Sequence, residues 1–242
     1  MSQVVLLNNI DHHDLRLNRS RGASNGETIN QVRVFPTEFK ALQREYPIFF
    51  RRDDDGAYQA VAILGLDRDE NLYLENDGDR VVWDACYIPA VLDRGPFSIG
   101  LGQQSDGQGY MIMVDLDHPW ISRTEGEPLF LTHGGNSRDL DTAAATLRTL
   151  HQGVESERAM FAAYEQAGLL AYLDVNIRLD ESTEYKLPGL YTLRPDVLRD
   201  LDGDIVQTLN RNGFLELAFY VMASHDNLKR LVDKKNARRT AY

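Results

Sequence analysis

The chain is poor in the features by which many proteins announce their chemistry, and each shortage closes a class. Cys86 is the only cysteine among 242 residues, so no disulfide forms within the chain, and a zinc site would have to draw its other ligands from His, Asp or Glu. That usage matches the cytosol, and a cytoplasmic protein is expected. No apolar run approaches the roughly 18 residues of a membrane-spanning helix. Met1-Ser2-Gln3 leads straight into Val4 to Leu7 with no basic segment ahead of it, so neither a transmembrane segment nor a Sec-type export signal is expected. Positive charge is scarce: 26 Lys and Arg face 37 Asp and Glu, which leaves a net charge of -11. Such a surface repels a phosphate backbone and excludes a general nucleic-acid binder.

Reaction signatures are missing as well. Gly100-x-Gly102 lacks the third glycine and the following helix of a dinucleotide fingerprint, and no Gly-Lys-Ser/Thr string supplies a phosphate loop. Asp67-x-Asp69-x-Asn71 starts like a calcium loop but places Leu72 where the turn glycine belongs. His133-Gly134-Gly135-Asn136 resembles an esterase oxyanion loop, yet Pro96 stands at the first glycine position ahead of Ser98, so the nucleophile elbow is absent. No catalytic residue is assigned, and no cofactor is expected.

Hydrophobic residues make up 43% of the chain, enough to bury the core of one domain over 1-242, with a weak sub-boundary near residue 130. The first half reads as strands. Ile48 to Arg51 and Tyr58 to Leu64 flank the turn Asp53-Asp54-Asp55-Gly56 as a hairpin. Leu72 to Leu74 adds a strand, and Phe97 to Leu101 with Tyr110 to Val114 forms a second hairpin around a loop from Gly102 to Gly109. Val4 to Leu7 is a strand candidate, followed by a polar arm that includes Ser24. Short helices are expected from Pro36 to Tyr46 and from Pro89 to Asp93, the latter stopping at Gly95-Pro96.

From Arg138 to about Gly168, apolar residues recur at helical spacing, with Gly153 and Glu157 interrupting the apolar face. Tyr172 to Leu179 and Tyr185 to Leu193 pair across residues 180-183. Two short helices, Pro195 to Leu201 and Ile205 to Asn212, precede a final helix from Phe214 through Val232. The fold class is α+β: a strand-rich antiparallel N-terminal half, a long central helix and a helical C-terminus.

Many short motifs in one order carry a family resemblance. They include Phe35-Pro36-x-Glu38-Phe39, Tyr46-Pro47-Ile48-Phe49-Phe50-Arg51, Glu70-Asn71-Leu72-Tyr73-Leu74, Trp83-Asp84-Ala85-x-Tyr87-Ile88-Pro89, His133-Gly134-Gly135-Asn136 and Gly189-Leu190-Tyr191-Thr192. The chain resembles the SapC-like family of bacterial proteins over almost its whole length. That family takes its name from a surface-layer gene region, and its members lie near tryptophan-halogenase-like enzymes, cupin-like oxygenases and outer-membrane receptors. The resemblance implies an accessory role in a modification or uptake system, and it carries over no catalytic residue.

Four candidate sites follow from the residues. Trp83, Tyr87 and Phe97, interrupted by Pro89 and Gly95-Pro96, can line a concave surface for a peptide, or serve as core. His133 and Asn136 lie in a loop before the long helix, where free amides hold an anion or merely close a tight turn. Residues 229-239 carry six basic side chains against Asp233. There Lys234 and Arg238 either complement a helix dipole or dock an acidic partner or membrane surface. His12-x-Asp14 has the spacing of two iron ligands, with His118, His133, His151 or His225 as the distal histidine. Against that stands a turn in which Asp11 and Asp14 satisfy local backbone donors. His225, between Val221 and Leu228, marks a seam through which the last helix can form a homodimer. The reading is a non-catalytic binding or accessory protein for a partner enzyme or peptide substrate. The alternatives are a metal-dependent, oxygenase-like enzyme using iron, and a surface-layer or cell-envelope protein that travels without a Sec signal.

Overall fold

The computed structural model describes residues 3-22, 25-78, 80-104 and 107-240, with 101-104 and 107-109 by backbone alone. Ser24 of the polar arm and Ser105-Asp106 of the second hairpin lie outside the described residues. The chain divides into two compact units that interleave along the sequence. The first comprises Met1–Glu27, Leu74–Trp83 and Ala90–His151, and the second Thr28–Tyr73, Asp84–Pro89 and Gln152–Tyr242. Residue 130, where a sub-boundary was expected, lies inside the first unit.

The second unit is built on a five-stranded antiparallel sheet: β3 (Gln31–Val34), β4 (Ile48–Arg52), β5 (Tyr58–Ile63), β12 (Leu170–Arg178) and β13 (Glu184–Leu193), in the order β12-β13-β4-β5-β3. The β4-β5 hairpin closes as the sequence indicates. Asp53 Oδ1 accepts the amides of Asp55 and Ala57 at 3.1 and 2.8 Å, and Gly56 supplies the φ of 81° that the turn requires. Helices cover both faces of β4, which is why Ile48-Phe49-Phe50 is a continuous apolar run and not an alternating one. Phe50 meets Phe161 of the long helix α3 (Arg138–Gln166) edge-on at 5.0 Å, while Phe49 stacks on His225 at 4.6 Å.

The two residues that interrupt the apolar face of α3 are contact points. A Cβ on Gly153 would stand 2.4 Å from Phe35 Cβ and 2.8 Å from Thr37 Oγ1. One turn on, the buried Glu157 accepts from Arg33 at 2.6 Å and from the Ala60 amide at 3.4 Å.

The first unit holds the sheet β1-β9-β8, of Val4–Leu6, Gly107–Asp115 and Phe97–Gln104. It also holds a small sheet in which β2 (Arg16–Leu17) lies between β10 (Ile121–Ser122) and β11 (Glu127–Pro128). Leu15, Leu17, Phe97, Val114, Trp120 and Leu129 pack with Leu140, Ala143 and Leu147 of α3 as its core. No helix among the described residues is long and apolar enough to cross a membrane.

Three local expectations change. The expected strand at Leu72 to Leu74 is a turn that buries Leu72 and Tyr73, and pairing begins only at Leu74. There β6 (Leu74–Asp77) joins β7 (Arg80–Trp83), a hairpin whose Glu75-Asn76-Asp77 composition has little strand character. The expected helix from Pro36 to Tyr46 is a 3-10 turn, Pro36–Glu38, followed by the short α1 (Phe39–Leu42). The last helix is broken into α6 (Phe214–Ser224) and α7 (Asn227–Thr240). At the break, Ser224 Oγ accepts the Ile48 amide at 2.9 Å, and His225 Nε2 lies 3.1 Å from the Ile48 carbonyl. Asn227 Nδ2 donates to the carbonyls of Gln43 and Tyr46. Side-chain bonds within the second unit thus anchor the break, where the backbone turns through i→i−3 bonds such as His225 amide to Met222 carbonyl and Leu228 amide to His225 carbonyl.

Candidate functional site

In the first unit, the short helix α2 (Ala90–Asp93) ends at Arg94-Gly95-Pro96, and this corner borders a pocket of about 420 Å³. Gly95 has a φ of 53°, and a Cβ there would come within 2.3 Å of the Trp120 ring. Only glycine lets the indole lie against this corner. The turn after β9 brings Trp120 in: the His118 amide donates to the Asp115 carbonyl at 3.3 Å, and the Trp120 amide donates to His118 Nδ1 at 3.1 Å. With Nδ1 accepting, the neutral ring carries its proton on Nε2. Burial holds the His118 imidazole below its ordinary 6.5, with Arg94 acting in the same direction and Asp115 opposing it.

The remaining walls mix apolar and polar groups, among them Val4, Val91, Leu92, Ser98, Asn25 and Glu27. Glu27 is buried and answered: Arg21 donates to one oxygen at 2.6 Å and the Gly22 amide to the other at 2.7 Å. Arg21 lies 5.1 Å from the Trp120 ring and 5.9 Å from that of Trp83, and it also reaches Asp93 at 3.3 Å. Arg19 pairs with Asp93 and Asp139 and lies 5.9 Å from Trp120. Cation-π stacking and ion pairs therefore fix the wall behind Trp120. Two lining groups are not answered. Arg94 donates Nη1–H to the Phe97 carbonyl at 2.8 Å and has no carboxylate in salt-bridge range among the described residues. Asn25 Nδ2 donates to the Ser20 carbonyl at 2.6 Å, while its enclosed Oδ1 meets no donor.

The candidate residues of the sequence fall in several places. Trp83 in β7 faces Arg21, and Phe97 is core at 1% exposure. Both belong to the first unit and Tyr87 to the second. His133 and Asn136 are exposed in a loop closed on itself: the Leu131 amide donates to the Gly135 carbonyl, the Gly134 amide to the Leu131 carbonyl, and Asn136 Nδ2 to Asp141. His12 is buried, with Nδ1 accepting the Asn8 amide at 3.2 Å, and Asp14 pairs with Arg123, which holds its carboxyl below the ordinary 3.8. The turn's main local acceptor is Asn8, whose Oδ1 takes the Ile10 and Asp11 amides. Among the described residues no three His, Cys, Asp or Glu side chains are placed to hold a metal.

Tyr87 belongs to a hydrogen-bond network in the second unit. Its hydroxyl donates to Glu38 at 3.0 Å, its carbonyl accepts from the Tyr46 hydroxyl, and its amide and that of Cys86 donate to the Glu45 carboxylate at 3.0 to 3.1 Å. Glu38 also accepts the Phe35 amide at 3.0 Å, and the Tyr73 hydroxyl donates to the Glu45 carbonyl at 2.7 Å. The basic helix α7 closes on the same unit. Lys234 pairs with Asp84, Lys235 with Asp67 and Glu70 at 2.5 and 2.7 Å, Arg230 with Glu45 at 3.7 Å and Arg239 with Asp180 at 2.7 Å. Burial opposes the charge on Lys235, but hydrogen bonds to Asp67 and Glu70 outweigh it and lift the ammonium above its ordinary 10.5.

Residues 7–231 match the family model described as SapC. The chain belongs to the SapC family. No curated protein and no solved structure matches it. Several of the motifs by which the sequence resembles the SapC family meet here: Phe35, Glu38, Tyr46, Tyr73 and Tyr87 belong to the network, and Glu70 and Asp84 pair with α7, whereas His133 to Asn136 lies in the first unit. Sequence reasoning found these residues as landmarks but missed their connection, and it missed the pocket. Gly95-Pro96 read as a helix stop and an interruption of the aromatic segment, and Asp115-x-x-His118-x-Trp120 matches no familiar spacing.

Proposed function

We propose that this SapC-family chain works by recognition and without chemistry of its own, as an accessory protein that holds a peptide substrate or a partner enzyme. The observation that carries this reading is the pocket at the Arg94-Gly95-Pro96 corner. A concavity of this size, in which Trp120 and aliphatic side chains alternate with as many polar and charged ones, suits a small polar molecule or the end of a chain segment. The basic C-terminus supports docking less well, because Arg230, Lys234, Lys235 and Arg239 already have acid partners within the second unit.

The test is capture by the purified full chain from its native host, with Arg94→Gln and a charge-reversed 229-239 variant run beside it. Recovery of a partner that Arg94→Gln loses supports the reading. No partner, or one recovered equally by Arg94→Gln, contradicts it.

A further inference from the structure

We propose that the pocket between α2 and the turn after β9 takes a single carboxylate with an N–H donor on the adjacent carbon: the chemistry of a free α-amino acid or of the C-terminal residue of a peptide. This rests on the recognition reading above and names what is recognised.

Arg94 is the first reason. Arg19 and Arg21, in the same unit, are each bound to acids, whereas Arg94 gives one N–H to the Phe97 carbonyl and meets no carboxylate among the described residues. In a chain of net charge -11 acids are not in short supply, so a guanidinium lining a pocket without one is a donor fork open to a planar anion. His118 is the second. Its neutral ring carries the proton on Nε2, so it adds a donor at the pocket wall without adding a second cation beside Arg94. The Ser98 hydroxyl adds another neutral donor.

Asn25 points to the other half of the ligand. Its amide nitrogen is committed to the Ser20 carbonyl, which tells nitrogen from oxygen, and the enclosed Oδ1 lacks a donor. An acceptor left in that state costs free energy, and a ligand N–H recovers it once the Asn25 side chain turns this enclosed oxygen toward the pocket. Asp115 lines the same pocket and favours the positive or N–H side of a ligand. Arg94 balances the single charge of a carboxylate, whereas a dianion such as phosphate keeps an uncompensated charge beside Asp115. Val91, Leu92 and Trp120 leave an apolar face for the side chain on the carbon between carboxylate and nitrogen.

Calorimetric titration of the full chain tests this with three probes: L-leucine, acetyl-Ala-Ala-Leu with a free carboxylate, and the same peptide as its carboxamide. At least one of the first two is expected to bind, the carboxamide at least about tenfold more weakly, and Arg94→Gln to weaken binding by a similar factor. Ser98→Ala is expected to cost a few-fold. Leucine binding alone identifies a free amino acid as the source, and peptide binding a chain end. The acid and amide comparison requires no variant, so a folding defect in Arg94→Gln does not affect it. Dissociation constants all weaker than about 1 mM, or a peptide acid and amide that both bind with equal affinity, overturn the proposal. If a partner is captured in an Arg94-dependent way while acid and amide bind alike, the recognition reading stands and this assignment falls.

Discussion

Lys235 in the second unit and Arg94 in the first are both cations removed in part from water, and they are treated in opposite ways. Lys235 is 9% exposed and held by two carboxylates, and the neighbouring Glu38 and Glu45 are each tied to several donors. Among the described residues Arg94 has a carbonyl partner and no carboxylate, and Asn25 of the same pocket holds an unanswered oxygen. Saturated polar groups lock a structure, because removing one partner strands the other. Unsaturated groups around a cavity contribute little to folding and keep their capacity for a ligand. On the proposed reading, the contrast separates the residues that maintain the fold from those that serve recognition.

The largest expected effect falls on the saturated network. Glu45→Ala removes the acceptor of the Cys86 and Tyr87 amides and the partner of Arg230, and it should cost about 3 kcal/mol of unfolding free energy in urea. A loss below about 1 kcal/mol would mean that the network is decorative. Gly95→Ala comes next, at about 2 to 3 kcal/mol, since it combines a positive φ with a collision against Trp120.

Gly153→Ala sharpens the comparison by its sign. Glycine to alanine inside a helix ordinarily stabilises by about 1 kcal/mol, but here the new methyl meets Phe35 and Thr37, so a net loss of about 1 to 2 kcal/mol is expected. A gain in melting temperature would show that α3 does not need this close approach.

Acid should weaken the fold through the histidines. Burial holds both His118 and His225 below their ordinary 6.5, with Asp115 and Asp226 respectively opposing the shift. Between the folded values and 6.5 the unfolded chain binds protons that the folded chain does not. Stability is therefore full above about pH 6.5 and declines below it. Chemical denaturation on either side of that value checks the slope, and the decline should shrink in His225→Gln. A slope unchanged by that substitution would assign the acid sensitivity to carboxylates instead.

Much of the architecture is legible because its causes are local. Asp53 to Gly56 carries its own turn chemistry, and Leu140, Ala143 and Leu147 repeat at the period of the helix they form. The break between α6 and α7 is not legible, because Ser224, His225 and Asn227 are claimed by Ile48, Gln43 and Tyr46 from the other end of the chain. The candidate site was the least legible part. Asn25, Arg94 and His118 come from three separate stretches, and what distinguishes Asn25 and Arg94 is a partner missing among the described residues, which no spacing encodes. The aromatic trio shows the converse: Trp83, Tyr87 and Phe97 stand near one another in sequence, but the fold places them against a cation, in a carboxylate network and in a core.

The smallest expected change in stability is also the most direct test. Urea denaturation of Arg94→Gln beside Lys235→Met, with titration of the free-carboxylate peptide into each folded protein, compares the open cation with the saturated one. Lys235→Met should lose about 2 to 4 kcal/mol and keep any pocket affinity. Arg94→Gln should lose less than about 1 kcal/mol and at least about tenfold in affinity. If Arg94→Gln destabilises the chain as much as Lys235→Met and leaves binding unchanged, Arg94 is a structural residue, and the division between locked and open polar groups is wrong.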